Sequence, residues 1–158
     1  MGILLKITLI VLFIFIFYQD YKTRLVYWFL YFFVGFFGTL LHLNHASWTT
    51  ILFESILNIS MILILIGLGF CYSKFILKKE FIDESIGKGD LFLFFSLCFL
   101  FPTIIFWVLF LTSLIFSLLI HFFVKKDTNI PLAGYMSLFF ASILFTSLFL
   151  KQNILYLF

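Results

Sequence analysis

The chain has 158 residues, of which 65% are hydrophobic and 11% are charged, and its formal net charge is +3. A typical soluble domain carries roughly 25% charged residues, and a water-soluble fold of this size could not bury so much apolar surface. Lipid is therefore the expected solvent, and the chain is predicted to be an integral membrane protein. Its few basic residues lie in short loops rather than on one face or tail, which argues against nucleic-acid binding.

Six apolar runs are predicted to form membrane-spanning helices, since a span needs roughly 20 apolar residues. The predicted helices cover residues 2–20, 25–43, 49–73, 89–101, 103–124 and 131–150. No small-residue cleavage site follows the first run, so it is interpreted as a retained span rather than a signal peptide. The sequence thus predicts an all-α, polytopic helix bundle in which residues 1–158 form a single domain.

The basic residues predict the orientation of this bundle. Eight of the ten lysines and arginines lie in the first, third and fifth loops, while the second and fourth loops have none. By the positive-inside rule, the odd-numbered loops are predicted to be cytoplasmic and both termini to be external.

Two aspartates stand at the borders of the apolar runs. Asp20 ends the first run, and Asp90 closes the tetrapeptide Gly87-Lys88-Gly89-Asp90 before the fourth. An acid beside a membrane span is costly and is by default a functional hypothesis. Two spans separate the aspartates, so topology predicts that both lie on the cytoplasmic side at a similar depth. A pair of carboxyl groups can perform acid–base chemistry.

The fourth predicted span is unusually short. From residue 89 to residue 101 a helix would extend about 20 Å, whereas the hydrocarbon core is roughly 30 Å thick. The turn at residues 87–90 is therefore predicted to dip below the cytoplasmic surface, where irregular backbone needs protein or water around it. Gly87 and Gly89 suit such a turn, because glycine permits positive φ and close backbone approach.

Each aspartate also has a purely structural interpretation. Asp20 could be an interfacial acid balanced by Lys22 and Arg24. Asp90 could be a helix N-terminal acid that is favoured by the macrodipole. Together these two interpretations weaken, because the rest of the membrane-embedded chain almost completely avoids acids.

Other polar residues near the spans have weaker claims to a functional role. Glu54 lies about 30 Å along its helix from the level of the aspartates, and it is predicted to snorkel to the outer interface. His42 and His45 stand three residues apart in an outer turn without a third ligand. They are predicted to be polar loop residues rather than a metal site.

Three segments resemble the motifs of type IV prepilin peptidases. Residues 19–26, Gln-Asp-Tyr-Lys-Thr-Arg-Leu-Val, resemble the family's first aspartate box, although Leu-Val-Tyr at 25–27 stands where Ile-Pro-Asn is common. Residues 87–90 match the GxGD box, which the family shares with presenilin-like intramembrane aspartyl proteases. Residues 130–135, Ile-Pro-Leu-Ala-Gly-Tyr, resemble the start of the family's last helix. In order and topology, the resemblance covers nearly the whole chain.

This resemblance implies an aspartyl endopeptidase of the bacterial inner membrane. Asp20 and Asp90 would be the catalytic pair, and Gly87 and Gly89 would form the backbone of the motif. The implied substrate is a prepilin-like protein of a type IV pilus or secretion system, cut behind its basic leader at the cytoplasmic face. An aspartyl pair shares one proton and titrates as a unit, so the two roles stay unassigned.

No cofactor is expected for such chemistry. The cysteine-bearing domain that accompanies N-methylation in bifunctional family members is not recognised in the sequence, so a minimal peptidase core is expected.

Two non-enzymatic functions remain open alternatives. The chain could be a non-catalytic subunit that binds prepilins or helps to assemble a secretion machine. It could also be a small proton-coupled carrier, although carriers often have internal repeats and polar sites at the membrane midplane, and neither is evident here.

Overall fold

The structure is a computed structural model that describes residues 2–77, 87–124, 131–149 and 156, apart from the side chains of residues 76, 77 and 88. Within these residues it contains α-helices and no β-strand. The α-helices are α1 (Gly2–Thr23), α2 (Trp28–Leu43), α3 (Trp48–Tyr72), α4 (Lys88–Leu97), α5 (Thr103–Val124) and α6 (Leu132–Phe149). A π-helical turn, Ser73–Leu77, continues α3.

Four of these helices are long and apolar enough to cross a membrane: α1, α3 with part of its π-helical continuation, α5 and α6. By contrast, α2 has 16 residues and α4 has 10. The prediction of a helical membrane bundle is confirmed, but the lengths of the described helices support four spans and not six. α4 is shorter than predicted because it already ends at Leu97, and residues 98–101 form a turn before Pro102.

Most of the loop lysines on which the predicted orientation depends lie outside the described residues. These are Lys78, Lys79, Lys125 and Lys126, and the side chain of Lys88 is likewise outside them. The orientation therefore stays a prediction from the sequence.

The surface of the bundle is largely hydrocarbon. Large apolar side chains such as Phe32, Phe53, Ile115 and Phe145 are exposed along the helices. Soluble monomers rarely expose large contiguous apolar patches, whereas lipid tails solvate such side chains readily. The exposed surface therefore agrees with the membrane environment that the composition predicts.

The core of the bundle is centred on α1 and α6, which run antiparallel. At one end Lys6 Nζ donates to the Ser147 carbonyl at 3.4 Å, and at the other Gly134 N donates to Asp20 Oδ2 at 2.6 Å. Between these ends Phe13 stacks on Phe140 with ring centroids 5.8 Å apart. This packing fixes the C-terminal end of α1 beside the first turn of α6.

The turn between α4 and α5 lies inside the bundle and is held by a side chain from α3. Asn58 is fully buried, and its Nδ2 donates to the carbonyls of Cys98 at 3.1 Å and Phe101 at 3.4 Å. Irregular backbone in a membrane protein is tolerated where its polar groups are satisfied by protein. Asn58 thus permits the chain to reverse direction before Pro102.

At the end of the bundle remote from the aspartates, the structure differs from two predictions. His42 is 1% exposed rather than a loop residue, and its Nε2 lies 3.3 Å from Glu54 Oε2. Glu54 therefore contacts the bundle interior instead of extending away to the interface. The reason is helical spacing, because Glu54 lies three residues after buried Ile51 and four before buried Asn58, at the edge of the inward face of α3.

Candidate functional site

The candidate site is formed at the N-terminus of α6, whose first amides have no acceptor within the helix. Ala133 N donates to Asp90 Oδ1 at 2.7 Å, and Gly134 N donates to Asp20 Oδ2 at 2.6 Å. These two amides belong to consecutive residues, so the two accepting oxygens lie within roughly 9 Å of each other by backbone geometry. The structure thus brings the two aspartates singled out in the sequence together at one helix end.

Asp20 reaches this position from the last turn of α1. Its side chain is 9% exposed, and Arg24 interacts with it electrostatically. Arg24 has a φ of 56°, in the left-handed region, and its N–H donates to the Asp20 carbonyl at 3.1 Å. This geometry ends α1 at Thr23, about one turn after the aspartate.

The turn that follows Asp20 is held by side chains of the same motif. Gln19 Oε1 accepts from Tyr27 N at 3.2 Å, and Thr23 Oγ1 donates to the Gln19 carbonyl at 2.9 Å. Gln19 therefore connects the end of α1 to the start of α2. In this way the segment that resembles an aspartate box fixes the local backbone around Asp20.

Asp90 is held more tightly than Asp20. Besides accepting from Ala133 through Oδ1, it accepts from Gly87 N through Oδ2 at 3.3 Å. Gly87 is the N-cap of α4 and Asp90 its third residue, so the carboxylate also caps its own helix. Both carboxylate oxygens of Asp90 accept backbone amides, whereas one oxygen of Asp20 does so among the described residues.

Of the two properties that suit glycine to this turn, positive φ is not used, because no described glycine has a positive φ. The glycines instead provide space. A Cβ on Gly89 would lie 2.9 Å from Tyr31 Oη, and a Cβ on Gly87 would lie 3.2 Å from Asp90 Oδ2. Close approach, rather than an unusual backbone angle, is what these positions require.

For two residues of the site, the sequence predicted no individual role. One is Gly134, where a Cβ would lie 3.0 Å from Asp20 Oδ2. The other is Tyr31 of α2, which is 3% exposed and lies near enough to both carboxyl groups to interact with them electrostatically. Tyr31 has no distinct sequence signal, because it stands within an apolar run.

The arrangement offers a pair of buried or half-buried carboxyl groups, two backbone donors and a phenol. Within the described residues no group of three or more His, Cys, Asp or Glu side chains could hold a metal ion. The chemistry that these residues can perform is proton transfer to and from a bound water or substrate.

Comparisons with protein-family models, curated proteins and solved structures find no match to this chain. The likeness to prepilin peptidases therefore rests on the three motif segments alone.

Proposed function

We propose that the chain is a membrane-embedded aspartyl endopeptidase that removes the leader of prepilin-like proteins. The observation that carries the proposal is the binding of Asp20 and Asp90 to the consecutive amides of Ala133 and Gly134. These four residues come from the three segments that resemble the peptidase motifs. The resemblance and the geometry thus point to the same place in the bundle.

The proposed chemistry follows from the proximity of the two carboxyl groups. Two negative charges this close repel each other, so the pair holds one shared proton. The ionised member takes a proton from water as the oxygen attacks the scissile carbonyl carbon. The protonated member polarises the carbonyl oxygen, and the C–N bond breaks as the leaving nitrogen receives a proton. The two carboxyl groups accept and donate every proton in this reaction, so no cofactor takes part.

The proposal includes a topology of six membrane crossings in the bacterial inner membrane. The four long helices would be joined by α2 and α4 as shorter crossings, and both aspartates would lie at the cytoplasmic face. A substrate with a basic leader and a following apolar helix fits this arrangement. Its helix would lie among the spans and bring the leader junction to the aspartate level.

The same hydrogen bonds support a second candidate function. A carboxylate that caps a helix N-terminus stabilises the helix without any chemistry, and both aspartates cap α6. A non-catalytic subunit that binds prepilins or helps to assemble a secretion machine would keep the acids for this structural reason. The two candidates predict different results for variants in which the charge is removed and the shape is kept.

The deciding experiment is cleavage of a prepilin-like substrate by the purified protein in detergent. Asp20→Asn and Asp90→Asn should each slow cleavage by at least about a thousand-fold while membrane insertion and abundance stay normal. The double variant should be little slower than either single variant, because residues that act as one unit are not additive.

Glu54→Gln is the matched control, since it removes a half-buried carboxyl group at the opposite end of the bundle. It should cleave at nearly the wild-type rate. Substantial cleavage by Asp90→Asn at normal abundance would exclude the aspartyl mechanism. Loss of folded protein in both aspartate variants, together with an inactive wild type, would favour the structural candidate.

A further inference from the structure

Tyr31 places a phenol beside the two aspartates. It lies on the first turn of α2, and its ring stacks on Phe92 of α4 with centroids 6.3 Å apart. This contact points the ring along the start of α4, where its hydroxyl would lie 2.9 Å from a Cβ on Gly89. The absence of a side chain at Gly89 is therefore what leaves room for the hydroxyl beside the turn that carries Asp90.

The Tyr31 hydroxyl is buried and has no hydrogen-bond partner among the described residues. A buried polar group without a partner costs free energy, and a phenylalanine would make the same ring contacts without that cost. The position of the hydroxyl beside the carboxyl pair suggests that its partner arrives with the substrate.

We propose that the Tyr31 hydroxyl donates a hydrogen bond to the scissile carbonyl oxygen during cleavage. This inference rests on the proposed peptidase function and adds a third group to its chemistry. A tyrosine hydroxyl is protonated at neutral pH and can donate one hydrogen bond. The amides of Ala133 and Gly134 are occupied by the aspartates, so they are not available to stabilise the substrate oxygen in this arrangement.

The role of Tyr31 in the reaction is electrostatic and transfers no proton. As water adds to the carbonyl carbon, the C=O double bond becomes a single bond and negative charge develops on the oxygen. The O–H of Tyr31 and the protonated carboxyl group then stabilise that charge together. A donor placed at the developing charge lowers the barrier to the chemical step more than it strengthens substrate binding.

The test is the kinetics of Tyr31→Phe with a synthetic peptide that carries a basic leader and an apolar helix. This variant keeps the ring and its packing on Phe92, so the protein should remain folded and abundant. Loss of one oxyanion donor typically lowers kcat by about 100-fold to 1,000-fold, and KM should change little. Tyr156→Phe is the matched control, since this partly buried tyrosine donates its hydroxyl to the Leu100 carbonyl at the other end of the bundle.

A second pair of variants distinguishes a catalytic role of the Tyr31 hydroxyl from a space-filling role. Gly89→Ala introduces a Cβ against the Tyr31 hydroxyl, and Tyr31→Phe removes the atom that it would meet. If the hydroxyl is catalytic, the Tyr31→Phe, Gly89→Ala double variant stays slow. If the hydroxyl only occupies space, Tyr31→Phe cleaves like wild type, and the double variant cleaves faster than Gly89→Ala alone. That result would overturn the proposal.

The two proposals fail in different ways. Wild-type rates in Tyr31→Phe, measured beside inactive aspartate variants, would overturn the role of Tyr31 and leave the peptidase function intact. An inactive wild-type protein would overturn the peptidase function and the role of Tyr31 with it.

Discussion

At the scale of single residues, the site depends on two glycines, whose lack of a side chain leaves room for polar atoms of other site residues. Gly134 and Gly89 each leave a space that a polar atom of another site residue occupies, Asp20 Oδ2 in one case and Tyr31 Oη in the other. Ordinary negative φ angles at both positions mean that any residue could adopt the backbone conformation. Size alone therefore limits what these positions accept. An added methyl group would displace the Asp20 carboxyl group in one case and the Tyr31 hydroxyl in the other, rather than disturb the helix.

Gly134→Ala should lower the rate of cleavage without lowering the stability of the protein. Alanine is a better helix former than glycine by up to about 1 kcal/mol, so the variant should fold and accumulate. Its Cβ would lie 3.0 Å from Asp20 Oδ2 and 3.2 Å from Asp20 Cβ, which displaces the carboxyl group. A displacement of about 1 Å in a catalytic group can cost about 100-fold in rate, and cleavage kinetics at equal protein concentration would measure it.

Gly67→Ala is the matched control for that prediction. Nothing lies within 4 Å of a Cβ at this position on the exposed face of α3. The variant should cleave like wild type and be equally or slightly more stable. Equal rates for Gly134→Ala and Gly67→Ala would mean that Asp20 does not need its present position.

At the scale of elements, the turn between α4 and α5 helps to fix the position of the first turn of α4, which carries Asp90. The turn at 98–101 is held by Asn58, and Gly38 of α2 packs closely against Leu100 in the same turn. These contacts anchor the far end of a helix of 10 residues whose first turn carries Asp90. Because α4 is short and is anchored at both ends, the Asp90 carboxyl group has little freedom to move.

Asn58→Leu should destabilise this turn. The Cys98 and Phe101 carbonyls would lose their side-chain donor inside the bundle, at a cost of about 1–3 kcal/mol for a buried polar group left without a partner. Thermal unfolding in detergent would measure the loss. Ser60→Ala is the control, because the exposed Ser60 hydroxyl donates only to its own helix, at the Leu57 carbonyl, and its unfolding temperature should match wild type. Identical unfolding of both variants would show that the turn does not depend on Asn58.

At the scale of the whole molecule, the antiparallel pair of α1 and α6 places Asp20 and the start of α6 at one end. Asp90 at the start of α4 lies at that same end, because it binds the adjacent amide. Both aspartates therefore lie at one end of the bundle. The other end carries the contacts of Lys6 with Ser147 and of His42 with Glu54.

The sequence predicts that the aspartate end faces the cytoplasm, and reporter fusions would test this. A reporter fused after Lys126 should behave as cytoplasmic, and one inserted near Asn44 as external, because the basic residues concentrate in the odd-numbered loops. An unmodified chain that retains cleavage activity is the reference for each fusion. The reverse pattern would place both aspartates outside and contradict cleavage of a cytoplasmic leader.

The apolar runs predict the helical bundle, and the order of the spans predicts that Asp20 and Asp90 share a side and a depth. The order of spans does not predict that the two acids meet at the start of α6, because that depends on how the helices pack. The 16-residue length of α2 was not predictable in the same way, because residues 25–27 continue the apolar run but precede the helix, which begins at Trp28. Nor was the contact between His42 and Glu54, which depends on how α2 and α3 are rotated about their axes. Tyr31 was missed because a tyrosine in an apolar run resembles packing material until its neighbours are known.

The amides that hold the two aspartates are also the last part of the site to be synthesised. Gly134 follows its partner Asp20 by 114 residues, and Ala133 follows Asp90 by 43. A ribosome therefore delivers both acids to the membrane well before the helix that binds them. A nascent chain that stops before residue 131 carries both acids but no shared anchor for them. Synthesis of α6 is thus the step that assembles the pair, which keeps the proposed hydrolytic chemistry out of partly made chains.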